Sequence, residues 1–281
     1  MTTTDSSLHT GSTPSPTPPP DIKARVRVTP VEGLQQTLTL AWRTLIQIRH
    51  NPWELGDFSI QPIIFVLLFT YVFGGAIADS PTEYLQYALP GIIVMNMFFV
   101  TMYVGQGLNT DITKGVFDRL RSLPIARWAP LSGRILADMV KQAWSIFLLL
   151  VVGFILGFRL GTSVAGLAAA FVLIMFFALC FSWVTVLVGV LAPDPEKVQL
   201  FGFTALFPVT FLSAVFVPID TMPGWLQPVV KANPVTILSD AARGLMVEGP
   251  VARPVVLSLI WAVAIAAVFA PLSVRALRRR V

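Results

Sequence analysis

Residues 164–192 read VAGLAAAFVLIMFFALCFSWVTVLVGVLA, and residues 86–108 read QYALPGIIVMNMFFVTMYVGQGL. Neither stretch contains a charged side chain, and each exceeds the ~20 apolar residues that a helix rising ~1.5 Å per residue needs to cross a bilayer core. Hydrocarbon offers no partners to backbone amides and carbonyls, so runs of this kind close their hydrogen bonds internally as helices. Four more charge-free runs approach the same length: Phe58–Ala78, Gln142–Phe158, Val198–Ile219 and Val255–Val274. The expectation is an all-α polytopic membrane protein of six transmembrane helices. The third run is short and the fourth long, so boundaries are expected to shift by several residues, or the fourth helix to tilt.

Composition agrees. Apolar residues make up 55% of the 281-residue chain and charged residues only 12%, half of the ~25% typical of a soluble domain. The twenty Lys and Arg give a net charge of +5, but they cluster between the apolar runs, which reads as orientation rather than nucleic-acid binding. With the N-terminus inside, sixteen fall on the cytoplasmic side: Lys23, Arg25, Arg27, Arg43, Arg49, Lys114, Arg119, Arg121, Arg127, Arg134, Lys141, Lys197, Arg275, Arg278, Arg279 and Arg280. Only Arg159, Lys231, Arg243 and Arg253 fall outside. This asymmetry predicts both termini in the cytoplasm, and six crossings fit because an even number returns the chain to its starting side.

Residues 1–20, polar and ending in a proline-rich run, lack the basic start and apolar stretch of a signal peptide, and 1–30 are expected to form a disordered cytoplasmic tail. The transmembrane domain is then 31–281. Before the first span, Leu34, Leu38, Ala41, Leu45 and Ile48 repeat at helical spacing opposite Gln36, Thr39, Arg43, Gln47 and His50. That pattern predicts an amphipathic helix along the inner surface, broken at Asn51-Pro52. Between the fifth and sixth spans, Pro218, Pro223, Pro228, Pro234 and Pro250 cut a segment of intermediate polarity into short pieces. Its apolar faces, Trp225, Leu226, Val229 and Val230, then Ile237, Leu238, Ala241, Leu245 and Met246, predict two short outer helices. These either rest at the interface or dip into the outer leaflet where protein buries them.

The longest inner connection, Asn109–Lys141, interleaves Asp111, Lys114, Asp118, Arg119, Arg121, Arg127, Arg134 and Asp138 with Val116, Phe117, Leu120, Leu123 and Trp128. A mixed surface of this kind suits docking to a cytoplasmic partner, and headgroup contact would explain its charges equally well. Within the spans, polar groups are few. The second span carries the richest mixture, with Met95, Met97, Phe98 and Phe99 around Asn96, Met102, Tyr103 and Gln106, and from the last four, with Phe207 and Thr210 of the fifth span, comes a set of six. These six are the candidate lining of a path for a greasy or flat cargo, against the simpler reading of packing and lipid contact.

Several runs carry a resemblance. Leu89-Pro90-Gly91, Leu108-Asn109-Thr110-Asp111 and the stretch from Lys114-Gly115-Val116-Phe117-Asp118-Arg119-Leu120-Arg121-Ser122-Leu123-Pro124 to Arg127 resemble ABC-2 type permeases of the daunorubicin/doxorubicin-resistance class. So do Gly133–Asp138, Val217-Pro218, Met222–Pro228 and Asn233–Thr236, which extends the likeness from about Gly33 to the end. The resemblance implies a permease that pairs with itself or a related chain, engages two copies of a cytoplasmic ABC ATPase, and exports an amphiphilic drug, secondary metabolite or lipid across a bacterial cell membrane. By position, it implies that the ATPase-coupling loop falls on Asp111–Pro124, with Asp111, Lys114, Gly115, Phe117, Asp118, Arg119, Arg121, Ser122 and Pro124 as its candidate residues. ATP and Mg would belong to the partner.

No Gly-Lys pair occurs in the chain, so no phosphate-cradling loop can be written here, and Leu131-Ser132-Gly133-Arg134 lacks the rest of an ABC signature. Cys180 lies alone in an apolar run, and the two histidines, His9 and His50, sit outside the spans. These features predict no enzyme chemistry and no metal site. Ion-coupled transport places ionisable groups within spans. Their absence from the six runs disfavours the alternative of a secondary drug transporter. A non-transporting membrane scaffold uses the same inner loop and is the other alternative.

Overall fold

The computed structural model describes residues 30–50, 52–77, 80–116 and 129–280, and among them every regular element is helical. The elements are α1 (Pro30–His50), α2 (Pro52–Leu68), a π turn (Phe69–Phe73), α3 (Gly74–Ile77), α4 (Pro81–Thr113), α5 (Ala129–Ile155), α6 (Val164–Leu191), α7 (Pro195–Phe211), α8 (Gln227–Ala232), α9 (Pro234–Met246) and α10 (Ala252–Arg280). The proposed tail, apart from Pro30, lies outside the described residues.

Helix starts are written into the sequence as a polar cap followed by proline, whose missing N–H costs nothing in a first turn. Ser80 Oγ accepts from the Glu83 amide ahead of Pro81, Asp194 from the Lys197 amide ahead of Pro195, and Asn233 from the Val235 amide ahead of Pro234. Ser163 caps α6 in the same manner, without the proline.

Four helices, α4, α5, α6 and α10, are long and apolar enough to cross a membrane. Their burial sorts them. The most apolar window of α4 is 89% buried and that of α10 only 11%, so α4 is the axis of the bundle and α10 an outer stave. Around α4 pack α6, α7, α9 and α5. Where α4 meets α6 the backbones touch: a Cβ on Gly105 would fall on the Thr185 carbonyl, and one on Gly189 on the Gly105 carbonyl. Only residues without side chains allow this approach.

The second, third, fourth and sixth runs fall on these helices with shifted ends, and the first and fifth on the shorter α2 to α3 segment and α7. The third, expected over Gln142–Phe158, belongs to a helix that starts at Ala129 and ends at Ile155. The connection expected over Asn109–Lys141 is therefore shorter, and Arg134, Asp138 and Lys141 are helical rather than loop residues. The fifth, expected over Val198–Ile219, is helical only to Phe211, about 25 Å at ~1.5 Å per residue. Pro208 removes a backbone donor near its end, and residues 212–218 continue as a non-helical strap.

Helix α1 also departs from its expected face. Gly33, Thr37 and Ala41 are buried, with Gly133 of α5 so close that a Cβ there would lie 2.9 Å from Leu40 Cβ and 3.0 Å from the Thr37 carbonyl. Leu34, Leu38 and Trp42 face outward. Ala41 thus belongs with the small residues on the packed face and not with the leucines, because a short interhelical distance selects side-chain size over polarity.

Candidate functional site

Three elements enclose a cavity of ≈ 70 Å³ beside the axis helix. Gln61, Pro62 and Phe65 come from α2, residues of one face from Ile92 to Tyr103 from α4, and Phe203, Phe207 and Phe211 from α7. The α7 phenylalanines recur at i, i+4 and i+8, which places them on one helical face. Their rings form a continuous row, Phe99–Phe203 at 5.9 Å, Phe203–Phe207 at 5.4 Å and Phe207–Phe211 at 4.2 Å. Phe216 of the strap extends it, 5.3 Å from Phe211, and stacks at 4.1 Å on Phe69 of the π turn. A row of this kind offers a flat apolar molecule many equivalent stacking positions.

Of the six candidate lining residues, Asn96, Tyr103 and Phe207 are on this wall and Met102, Gln106 and Thr210 are not. Asn96 donates to Ser145 Oγ of α5 at 2.8 Å, a polar pair within the core. Thr210 is fully buried and donates to its own helix at Leu206, and Met102 packs over Gly202. Gln106 is half-buried. Phe99 stands in the aromatic and thioether mixture of the second span, whereas Phe203 and Phe211 join the wall with no sequence signal beyond the four-residue spacing on α7.

At the end of the bundle next to α1, charged groups are paired between helices. Arg134 of α5 reaches Asp111 of α4 at 3.4 Å and Asp138 at 3.1 Å, and Lys141 reaches Asp138 at 3.2 Å. Asp138 and Lys141 are each 4% exposed, so ionisable groups do enter the bundle one turn before the third apolar run. Gly107 makes room for this network, since a Cβ there would overlap the Arg134 guanidinium. Among the candidate coupling residues, Asp111 is in the last turn of α4, and Lys114 and Gly115 form the turn that follows, where Gly115 has φ 66. That turn leads the chain away from the helix through a conformation suited to glycine. Phe117, Asp118, Arg119, Arg121, Ser122 and Pro124 lie outside the described residues.

At the opposite end, α9 is wedged against α4, α6 and α10, with Val235, Leu238, Ala241 and Ala242 fully buried. The strap beneath it is held through its backbone. Tyr87 and Arg243 both donate to the Ala214 carbonyl, at 2.9 and 3.1 Å, and the Ala214 amide donates to Thr236 at 3.1 Å. Tyr84 donates to the Phe216 carbonyl at 3.1 Å, and Asn233 donates to Val209 and Leu212 at 2.7 and 2.8 Å. Arg243 further donates to the Tyr87 carbonyl, pairs with Asp240 at 2.7 Å, and lies 3.8 Å over the Tyr87 ring. Irregular backbone inside a membrane bundle requires donors and acceptors of this kind. Sequence reasoning counted Arg243 only as an outer charge. The three-residue spacings of Tyr84 with Tyr87 and of Asp240 with Arg243 were the available signal.

Comparisons with known proteins agree with this architecture. Residues 35–247 match the family model for the ABC-2 type transporter. The chain is 40% identical over 248 residues to the daunorubicin resistance ABC transporter permease protein DrrB1 of Streptomyces coeruleorubidus, covering 88% of each. It is 27% identical over 253 residues to the probable doxorubicin resistance ABC transporter permease protein DrrC of Mycobacterium tuberculosis, covering 85% of this chain and 87% of that one. It is also 27% identical over 216 residues to the putative transport permease ycf38 of Cyanophora paradoxa, covering 75% and 74%. A helical bundle with four long apolar helices, a buried axis helix and a match over most of the chain lead to one assignment: this protein belongs to the ABC-2 type transporter family.

Proposed function

We propose that the chain is the permease of an ATP-driven exporter for an amphiphilic or hydrophobic molecule of the anthracycline type, and that the cavity between α2, α4 and α7 is part of the cargo path. The observation that carries this reading is the phenylalanine row on the cavity wall, with Asn96 and Tyr103 as its polar positions. A volume of ≈ 70 Å³ is well below the ~300–1,000 Å³ of a drug-sized pocket. A single chain therefore holds too little space, and Phe203, Phe207 and Phe211, each at least 39% exposed, present their outer edges to something beyond the monomer. A second permease copy on that face completes the path.

The chain crosses the bacterial cell membrane six times, with α2 to α3 and α7 as the two shorter crossings, and α9 re-enters the outer leaflet. Both termini are placed in the cytoplasm, a reading that the distribution of Lys and Arg supports. Two copies of a separate cytoplasmic ATPase dock on the loop after α4, from Asp111 to Pro124, and hydrolyse ATP with Mg. Names of the relatives support the drug class, since two of them are called resistance permeases for daunorubicin or doxorubicin.

Vesicles holding the permease with its co-purified ATPase test the proposal. ATP-dependent accumulation of daunorubicin is expected, and it is expected to fall at least tenfold with Phe203→Ala/Phe207→Ala while ATPase binding persists. Accumulation unchanged by that double variant would remove the cavity from the path. No accumulation of any amphiphile or lipid by the intact complex would favour a scaffold.

A further inference from the structure

The last carbonyls of α6 need partners from outside the helix. A helix leaves its final carbonyls without amide partners, and they form the negative end of its dipole. In α6, the Val188 carbonyl accepts from the Ala192 amide at 2.9 Å, but those of Gly189, Val190 and Ala192 are met by other helices. Asn109 of α4, wholly buried, donates to Gly189 at 2.8 Å and to Ala192 at 2.7 Å. Arg280, in the last turn of α10, donates to Ala192 at 2.7 Å, and also contacts Val190 and, at 3.5 Å, Gly189. Three helices thus converge on one carbonyl cluster.

The position of that cluster gives it consequence. One turn before Asn109, Gly105 lies backbone to backbone with Thr185 and Gly189, so α4 and α6 are in direct contact there. Two residues beyond Asn109, Asp111 opens the segment proposed to dock the ATPase. Two residues beyond Ala192, Asp194 caps α7, the helix whose phenylalanines wall the cavity. Asn109 therefore stands between the docking loop and the α6–α7 turn, with fixed geometry toward both. Its Oδ1 is buried without a hydrogen-bond partner, so the side chain is used here for its two donors. An unpartnered buried acceptor is a cost that packing alone gives no reason to retain.

We propose that Asn109 and Arg280 are positioning residues for coupling: they lock the α6–α7 turn to the inner end of α4, so that a displacement of the docking loop moves α7 as one body with α4. Neither touches the cavity. The proposal rests on the reading that the ATPase docks after α4 and that cargo passes α7.

The test is made on the permease–ATPase complex in vesicles, with two readouts. Spin labels at Thr113 and Leu200, both exposed, report the distance between α4's end and α7. The intact pair is expected to keep one narrow distance in the nucleotide-free and vanadate-trapped states, whereas Asn109→Leu, which removes the donors and the unpartnered acceptor together, is expected to broaden it or shift it by several ångströms. Asn109→Leu is also expected to retain ATPase binding and basal hydrolysis within twofold while daunorubicin moved per ATP falls at least fivefold. Arg280→Lys, at the end of the last helix and not central to packing, is expected to show the same change at two- to threefold. A Thr113–Leu200 distance that changes between states in the intact protein overturns the clamp whether or not daunorubicin is moved. Unchanged distance and unchanged daunorubicin per ATP in both variants overturn it too. A narrow distance with no transport by the intact complex leaves the clamp standing and contradicts the proposed cargo instead.

Discussion

At its α1 end, α4 is joined to α5 by charge, through Asp111, Arg134, Asp138 and Lys141. At the far end it is joined through backbone carbonyls, with Tyr84, Tyr87 and Arg243 reaching into the 212–218 strap. The first end has regular helices and charges of both signs, so side chains neutralise one another. The second has irregular chain with unpaired amides and carbonyls, and side chains replace the missing helix bonds. The two ends therefore differ in what breaks them. Removing one ion-pair partner strands a charge, whereas removing one donor strands a dipole, a smaller penalty.

A change where the α4 and α6 backbones touch is expected to have the largest effect. Gly105→Leu places a branched side chain on the Thr185 carbonyl, and backbone cannot move aside as a flexible side chain can. A loss of about 3 kcal/mol or more is expected, seen as failure to recover monodisperse protein from detergent.

Lys141→Met separates the ends. Left beside a 4% exposed carboxylate, it is expected to cost about 3 kcal/mol in thermal unfolding, with most of the loss recovered in Asp138→Asn/Lys141→Met. Amide exchange at 212–216 should not change. Arg243→Met is the converse, costing about 2 kcal/mol because it leaves the Ala214 and Tyr87 carbonyls and Asp240 short of a donor. Exchange should rise in the strap and stay constant in α5. Tyr84→Phe removes one bond to Phe216 and is expected to produce the same pattern at about 1 kcal/mol.

The smallest effect lies at the α6–α7 turn. There the Lys197 side chain and amide hold the Asp194 carboxyl below the usual carboxylate range. A depressed carboxyl stabilises the folded state above its unfolded pKa, and that contribution fades as pH falls through the lowered folded value. Asp194→Asn keeps the cap, so its melting temperature at neutral pH should match the parent within error, and the acid-dependent part of the curve should flatten.

Much of the bundle was legible because apolar run length is a local signal, although run length alone starts α4 at Gln86 and α7 at Val198, later than their capped starts at Pro81 and Pro195. Ser80-Pro81, Asp194-Pro195 and Asn233-Pro234 each mark a helix start. What stayed hidden depends on contacts between distant segments. No periodicity reveals that Phe211 ends its helix, because the strap after it is stabilised by Tyr84, Asn233 and Thr236 from elsewhere in the chain. Asp138 and Lys141 read as loop charges because an ion pair hides its cost from any count of single residues. The apolar count on α1 placed Ala41 with Leu34 and Leu38, although Gly133 selects it for size. On the cavity wall, Asn96, Phe99, Tyr103 and Phe207 are legible from composition, while Phe203 and Phe211 emerge only when α4 and α7 are set side by side.

The claim on which the account depends is that cargo passes along the phenylalanine row between α2, α4 and α7. Photo-cross-linking tests it most directly: an aryl-azide derivative of daunorubicin is activated in membranes holding the permease–ATPase complex, and labelled peptides are identified by mass spectrometry. The account predicts label on the segments bearing Phe99, Tyr103 and Phe203 to Phe211, lost when unmodified daunorubicin competes. Competed label confined to the outward face of α10, around Trp261, with none on α4 or α7, would contradict it.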